Sequence, residues 1–324
     1  MEKTLWHPVA LAEAVVHAPL AVRLLEQELV LWRDLAGQVH AFVDRCPHRG
    51  ARLSLGRIEQ DRLECPYHGW QFAGDGHCER VPAVPDFAPP PAHCVRSFAV
   101  QELYGLVWLQ LEAAADVPPP QFEAEGDARL RKLNCGPYDV AASAPRIIEN
   151  FLDMSHFGFV HEGWLGSRDA TAMERYDVEN TPTGVRATNC KARQPQSNLH
   201  STAAAEVHYT YEVTDPYTAL LNKLPEAGTS RDGWYESIGL FVCPVTPETS
   251  RVWFRLAVAD FDTPDAQLQA FQHTIFTQDQ PVLESQQPKG LPLDARAELN
   301  SPADRLSVAY RRYLKGRGIT FGVC

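Results

Sequence analysis

The segment from Cys46 to Trp70 constrains this chain more than any other. It reads C-P-H-R-G-A and then C-P-Y-H-G-W, with sixteen residues between His48 and Cys65. Each clip offers one thiol and one imidazole, Cys46 with His48 and Cys65 with His68. Within a clip the two side chains are too close to bridge one another, and they are spaced to point at one small object. Pro47 and Pro66 stiffen the loops by fixing φ, and Gly50 and Gly69 permit the positive-φ turns such loops need. Two thiolates and two imidazoles presented this way suit a [2Fe–2S] cluster, Cys on one iron and His on the other. Tyr67 and Trp70 would roof it, limiting water and offering a hydroxyl or an indole N–H to the sulfurs. A Cys2His2 zinc site is the rival, but zinc fingers pair C-x2-4-C with H-x3-5-H rather than mixing the two residues in each clip.

The rest of the composition sets the class. A chain of 324 residues suits two domains, and 44% hydrophobic with 22% charged residues is ordinary for a globular protein. A net charge of −11 with no basic run argues against nucleic acid. No stretch approaches 18 uncharged apolar residues, so no membrane span is expected. The N-terminus lacks a charged region followed by a small-residue cleavage site. Of eight cysteines, six (Cys78, Cys94, Cys135, Cys190, Cys243 and Cys324) are scattered without a framework spacing. Free thiols of this kind fit a cytoplasmic location.

Residues 20–45 read as a β-meander: Leu20–Leu25, Leu29–Trp32 and Val39–Val43, with a turn at Asp34–Gly37. Gln71–Ala73 followed by Gly74-Asp75-Gly76 signals a hairpin, and strands are expected over Val95–Val100 and Leu106–Leu111. Pro85–Pro91 is read as an irregular wrap. The alanine-, acid- and proline-rich stretch 112–126 is the expected domain boundary, giving domains 1–115 and 116–324. In the second domain Ser143 and Pro145 signal a helix start, and the helix is expected to run on through His161. Strand-like segments between 175 and 260 look like one antiparallel sheet, with Asp215–Gly233 read as a long irregular connection that could cover a pocket. A helix from Asp265 should kink or end at Pro281, and a last helix should run from Ser301 to Gly316.

A second constellation is Glu149-x3-Asp153-x2-His156-x4-His161. Two imidazoles and a carboxylate with open positions make the facial triad of non-haem Fe(II). The histidines are five residues apart, about 140° around an ideal helix, so they converge only if the helix distorts, which Gly158 would allow. Taken alone, a surface pair or two satisfied core histidines would explain them as well.

The clips resemble the Rieske motif. With the His pair downstream, the whole chain is similar to the terminal oxygenase subunit of Rieske non-haem iron oxygenases, the demethylase and methyl-monooxygenase branch in particular. That resemblance implies an α+β fold: a small antiparallel β Rieske domain, then a helix-grip-like catalytic domain with an antiparallel sheet flanked by helices. It implies that Cys46, His48, Cys65 and His68 bind the cluster, that His156 and His161 bind Fe2+, and that Asp153 bridges the two centres without being a ligand. The third iron ligand would be a carboxylate of Thr277–Gln287. Asp279 matches the family pattern, with Glu284 the other candidate there and Asp260, Asp262 and Asp265 as rivals nearby. O2 would be the cosubstrate. Electrons would come from NAD(P)H through a separate reductase, with or without a ferredoxin, since the chain has no G-x-G-x-x-G. A head-to-tail homotrimer is implied as well. The expected activity is hydroxylation or O- or N-demethylation of a small aromatic or cyclic substrate, with ring cis-dihydroxylation as the alternative. A bare Rieske electron carrier would need only the first 115 or so residues. Pocket residues are expected on strands from about 190 to 260 and on the loop before Gly233, where Tyr217, Trp234, Tyr235 and Phe241 are among the frequent aromatics, although aromatics also fill ordinary cores.

Overall fold

The computed structural model describes residues 1–230, 235–294 and 296–324. The chain forms two compact units, Glu2–Pro119 and Pro120–Cys324, which divide inside the alanine- and proline-rich stretch.

The first unit is built from ten short strands: β1 (His7–Leu11), β2 (Leu20–Leu24), β3 (Gln27–Arg33), β4 (Val39–Val43), β5 (Arg57–Glu59), β6 (Arg62–Glu64), β7 (Gln71–Phe72), β8 (Cys78–Arg80), β9 (Ala99–Leu103) and β10 (Leu106–Gln110). They form three antiparallel sheets, in the orders β1-β10-β9, β2-β3-β4 and β5-β6-β7-β8. Three of the hairpins turn on two residues with positive φ, Leu25-Glu26, Gln60-Asp61 and Tyr104-Gly105. Such turns match the right-handed strand twist. The last of them fixes β9 at Ala99–Leu103, later in the chain than the strand expected over Val95–Val100. Trp32, Phe42, Leu53, Leu63 and Phe72 are fully buried in one core, and Cys46 and Cys65 are rooted in it. The first clip follows β4, and the second is the connection between β6 and β7. Each cysteine is thus held at a fixed depth by the packing beneath it.

The second unit is one seven-stranded antiparallel sheet with helices. Its strands are β11 (Arg131–Val140), β12 (Asp177–Asn180), β13 (Val185–Gln194), β14 (Ala205–Asp215), β15 (Thr218–Pro225), β16 (Glu236–Thr246) and β17 (Thr249–Val258), in the order β11-β17-β16-β15-β14-β13-β12. Strand β14 shows why: Ala205, Val207, Tyr209, Tyr211 and Val213 are buried while the residues between them are more exposed. That is the period of two that a half-buried strand requires. Thr218–Pro225 of the segment expected to be an irregular cover form β15, because Tyr217 N–H bonds Asp215 Oδ1 at 3.1 Å and closes a tight turn straight into the next strand. Gly233, where the expected connection ended, lies outside the described residues, as does Trp234.

Among the described residues four α-helices complete the unit: α1 (Ala144–Leu152), α2 (Phe157–Val160), α3 (Asp265–Ser285) and α4 (Arg305–Gly316). Ser143 caps α1 by accepting from Arg146 N–H at 3.4 Å, with Pro145 in the first turn. The single helix expected through His161 is two helices. The backbone turns extended at Asp153 (φ −89°, ψ 134°), ahead of Gly158 rather than at it. Gly158 serves a different need, since a Cβ there would lie 2.9 Å from the Ser167 carbonyl oxygen. Helix α3 runs on through Pro281, because Ile275, Phe276 and Asp279 are buried before the proline and Leu283 after it, holding both sides in place. Ahead of α4, Ser301 and Asp304 form a reciprocal capping box over a short 3-10 turn.

Glu149, the first residue of the second constellation, faces α4. Its carboxylate accepts from Arg311 Nε at 2.5 Å and from Nη2 at 2.8 Å, both groups being buried. Arg311→Met would leave that carboxylate buried with both its hydrogen bonds lost and only Arg146 Nη1 at 3.8 Å, and should destabilise the fold by roughly 3 kcal/mol. Urea unfolding would show this as a lower midpoint, and Glu149→Leu added to it should recover most of the loss.

Candidate metal centres

The two clips have the same backbone. Cys46 N–H bonds Ala51 O at 2.8 Å and Cys65 N–H bonds Trp70 O at 2.8 Å, while Gly50 N–H and Gly69 N–H return to the two cysteine carbonyls at 2.9 and 3.1 Å. Gly50 (φ 75°) and Gly69 (φ 69°) take the left-handed conformation that closes each loop. The consequence is a quasi-symmetric pair of donors. Cys46 and Cys65 lie inside, within side-chain contact of each other, and the His48 and His68 rings face each other with centroids 4.6 Å apart. Burial pushes the Cys46 thiol up to about 12, with Cys65 beside it adding to the effect. A thiolate there needs a strong cation next to it, as a metal-sulfur group would supply. Trp70 stacks flat on His48 at 4.5 Å and Tyr67 lies against His68 at 3.8 Å, so the aromatic rings flank the imidazoles rather than roof the sulfurs.

The second centre sits where the chain breaks between α1 and α2. Asp153 ends α1, His156 precedes α2 and His161 follows it. His156 Nδ1 lies 2.9 Å from Asp153 Oδ2, and His161 Nδ1 lies 2.8 Å from Gln278 Oε1. Carboxylate and amide oxygens can only accept, so both Nδ1 atoms carry the proton and both Nε2 atoms present lone pairs. Those two Nε2 atoms are 3.2 Å apart, and Asp279 Oδ1 lies 3.4 Å from one and 3.2 Å from the other. Three acceptors this close need a cation between them. Burial opposes charge on His161, yet the Asp279 carboxylate and Gln278 outweigh it and raise the pKa, so the pocket draws positive charge. The donor set fits a divalent ion with a facial two-histidine, one-carboxylate arrangement. Asp153 is held below the usual carboxylate range despite its burial, by His156 and by Ser155, whose Oγ donates to Oδ1 at 2.7 Å.

The structure brings Asp279 to the histidines and takes the other carboxylates elsewhere. Glu284 accepts from Ala141 N–H and Gln280 Nε2, Asp260 accepts from Thr263 N–H and stands next to His200, and Asp265 pairs with Arg131. Asp279 and Glu284 are five residues apart in one helix, so only one can face the centre.

The three donors open into a pocket walled mainly by apolar and aromatic side chains. Phe151 on α1, Phe157 on α2 and Phe271, Ile275 and Phe276 on α3 close it from one side. The sheet forms the other side through Tyr209, Tyr211, Leu221, Ile238, Leu240 and Phe254. Among the described residues, none of the aromatic side chains expected there lines it. Tyr217 is buried and bonds Phe321 O, Tyr235 bonds Asn222, and Phe241 packs edge-on against Phe122. The sequence reading also missed Gln278, whose position beside Asp279 was the available signal, and Lys223 and Glu236, which also line the pocket. Gln278→Leu should leave His161 free to turn or change tautomer and weaken metal binding roughly 10–100-fold. Competition with a graded series of chelators would measure that.

Comparison with known proteins agrees with this geometry. The Rieske [2Fe-2S] domain model matches residues 5–99 and the vanillate O-demethylase oxygenase C-terminal domain model matches residues 140–318. Methylxanthine N1-demethylase NdmA of Pseudomonas putida is 34% identical over 96% of this chain and 87% of its own. The N3-demethylase NdmB of the same organism is 31% identical over 96% and 88%. The solved structure of NdmA with caffeine superposes with a TM-score of 0.84 at 32% identity, covering 97% of this chain and 90% of that one. The oxidoreductase NdmD, also of P. putida, shares 45% identity over 112 residues, a third of this chain. The chain belongs to the Rieske non-haem iron oxygenases, as a terminal oxygenase that takes electrons from a separate reductase to monooxygenate a small organic substrate.

Proposed function

We propose that the reaction is oxidative N-demethylation of a planar N-methyl heterocycle. The observation that carries this is a pocket of aromatic and aliphatic walls opening directly on His156, His161 and Asp279. Its flanking rings suit a flat ring system, and the relatives that match along the chain's length are named for removing methyl groups from one. In balance, the substrate's N–CH3 group with O2, two electrons and two protons gives N–CH2OH and water. The C–N bond of that carbinolamine then breaks, leaving N–H on the ring and releasing formaldehyde.

His156, His161 and Asp279 would hold Fe2+, and Cys46, His48, Cys65 and His68 would hold the [2Fe–2S] cluster. When bound, these groups supply one-electron transfer and the activation of O2. Three protein ligands would leave coordination positions free for O2. Phe151, Phe157, Phe254 and Phe276 exclude water and press the substrate flat, which keeps the methyl group presented and limits wasteful turnover. Asp153 fixes the His156 ring through Nδ1. It also retains partial exposure, 23% for its side chain, while His68 is exposed on its own unit. These features support a head-to-tail homotrimer in which Asp153 accepts a bond from His68 of a neighbouring copy, joining one subunit's cluster to the next subunit's iron. The reductase delivers electrons directly or through a ferredoxin.

Formaldehyde release tests the reaction: with NADH and a reductase, one formaldehyde should appear for each O2 consumed and each N–CH3 lost. A hydroxylated product that keeps its methyl carbon would overturn N-demethylation. The trimer has its own test in mixing two inactive variants, Asp279→Ala and His68→Ala. Random mixed rings should recover activity at about a quarter of their interfaces, since each productive interface needs one intact cluster beside one intact iron site (1/2 × 1/2). No recovery despite demonstrated subunit exchange would rule out the inter-subunit route.

A further inference from the structure

In the wall of the substrate pocket, among apolar residues, sit a lysine and a glutamate that the chemistry above does not use. Lys223 and Glu236 are directly opposed across β15 and β16, and both line the pocket that contains His156, His161 and Asp279. They belong to the same face as the rest of the wall. The register that pairs Lys223 with Glu236 also pairs Tyr209 with Lys223, Tyr211 with Leu221 and Leu221 with Ile238. Both are buried, at 5% and 7% exposure. Lys223 Nζ stands 3.8 Å from Glu236 Oε2, too far for a hydrogen bond, and Oε2 has no hydrogen-bond partner among the described residues. Burial lowers the Lys223 pKa and raises that of Glu236, so each charge is held at a cost that an apolar pair would avoid.

We propose that Lys223 and Glu236 read the edge of the substrate, Glu236 accepting from a ring N–H and Lys223 donating to the adjacent ring C=O of a lactam or imide. The choice follows from elimination. A carboxylate would satisfy Lys223 and be repelled by Glu236, while an amine would satisfy Glu236 and be repelled by Lys223. A purely apolar ring would leave Oε2 buried without a hydrogen bond. A neutral edge with donor and acceptor side by side satisfies both charges without adding another. Of the other polar groups in the wall, Asn150 Nδ2 already leans on Asp279 Oδ1 at 3.4 Å, while Tyr209, Tyr211 and Gln272 carry no charge that burial leaves in need of a partner. Such recognition would select heterocycles that keep a free lactam N–H away from the methyl group to be removed. This deepens the N-demethylation reading and rests on the same pocket being the substrate site.

The experiment uses holoenzyme and two probes, theobromine, which carries an N–H between two carbonyls, and caffeine, in which that nitrogen is methylated. Calorimetric titration should show theobromine bound at least about tenfold more tightly, because a site built for a hydrogen bond rejects the analogue lacking it. Lys223→Met with Glu236→Leu replaces both charges by apolar groups of similar volume and should fold with an unchanged or higher Tm. In that double variant the preference should fall to within about threefold, since no unpaired charge remains. Equal binding by the wild type, a preference that persists in the double variant, or no binding of either probe would overturn the proposal. Formaldehyde release keeps the two readings apart. Selective binding without formaldehyde would sink N-demethylation and leave the edge recognition standing, while formaldehyde release with indifferent binding would do the reverse.

Discussion

Three lone pairs that cannot be left facing one another organise the catalytic unit. Asp153 and Gln278 each take the Nδ1 proton of a histidine, and this forces His156 Nε2, His161 Nε2 and Asp279 Oδ1 into one small space as acceptors. Only positive charge relieves that convergence, so the three groups could hold a metal ion. The cost falls on local structure. The chain gives up a continuous helix at Asp153 to bring two histidines five residues apart onto one point, and α3 runs unbroken through Pro281 to present Asp279 and Gln278 together.

The sheet supplies the other half of the site. Its antiparallel register places one row of side chains from β14, β15, β16 and β17 on a single face: Tyr211, Leu221, Ile238 and then Leu256 one step on. A one-residue slip in any of these strands would turn that row to the opposite face. The seven-stranded pairing therefore fixes that Tyr211, Leu221 and Ile238 of this row line the pocket. It is also why Lys223 and Glu236 stand opposite each other rather than scattered.

How much of this was legible in the sequence follows from how local each signal is. The Cys46–His68 clips could be read because proline, glycine and ligand lie within five residues of each other, and the two clips repeat one backbone. Strand β14 could be read because its alternation is nearly unbroken. The break at Asp153 was missed, although its carboxylate closes a local turn by accepting from Ser155 N–H and His156 N–H, which an aspartate with a serine two residues on can signal. Strand β15 was hidden by Pro225 and by an inward-facing lysine, both of which read as loop. The hairpins at Leu25-Glu26 and Gln60-Asp61 lack the Asn-Gly or Asp-Gly pairs that advertise such turns. Aromatic residues near the middle of the sheet were a poor guide to the pocket, because Tyr217 and Phe241 sit deep in the core rather than on the substrate face. Asp279 was chosen by resemblance to a family pattern. What separates it physically from Glu284 is its face of α3.

His156, His161 and Asp279, distinct from the Cys/His clips, would seat the oxygen chemistry on one cation. Electron paramagnetic resonance of the reduced, iron-loaded protein under nitric oxide tests this most directly, because an iron–nitrosyl at the open site and the reduced cluster give separable signals. The account predicts that Asp279→Ala loses the iron–nitrosyl signal and keeps the cluster signal, while Glu284→Ala keeps both. A nitrosyl signal that survives Asp279→Ala, or a cluster signal that disappears with it, would contradict the account.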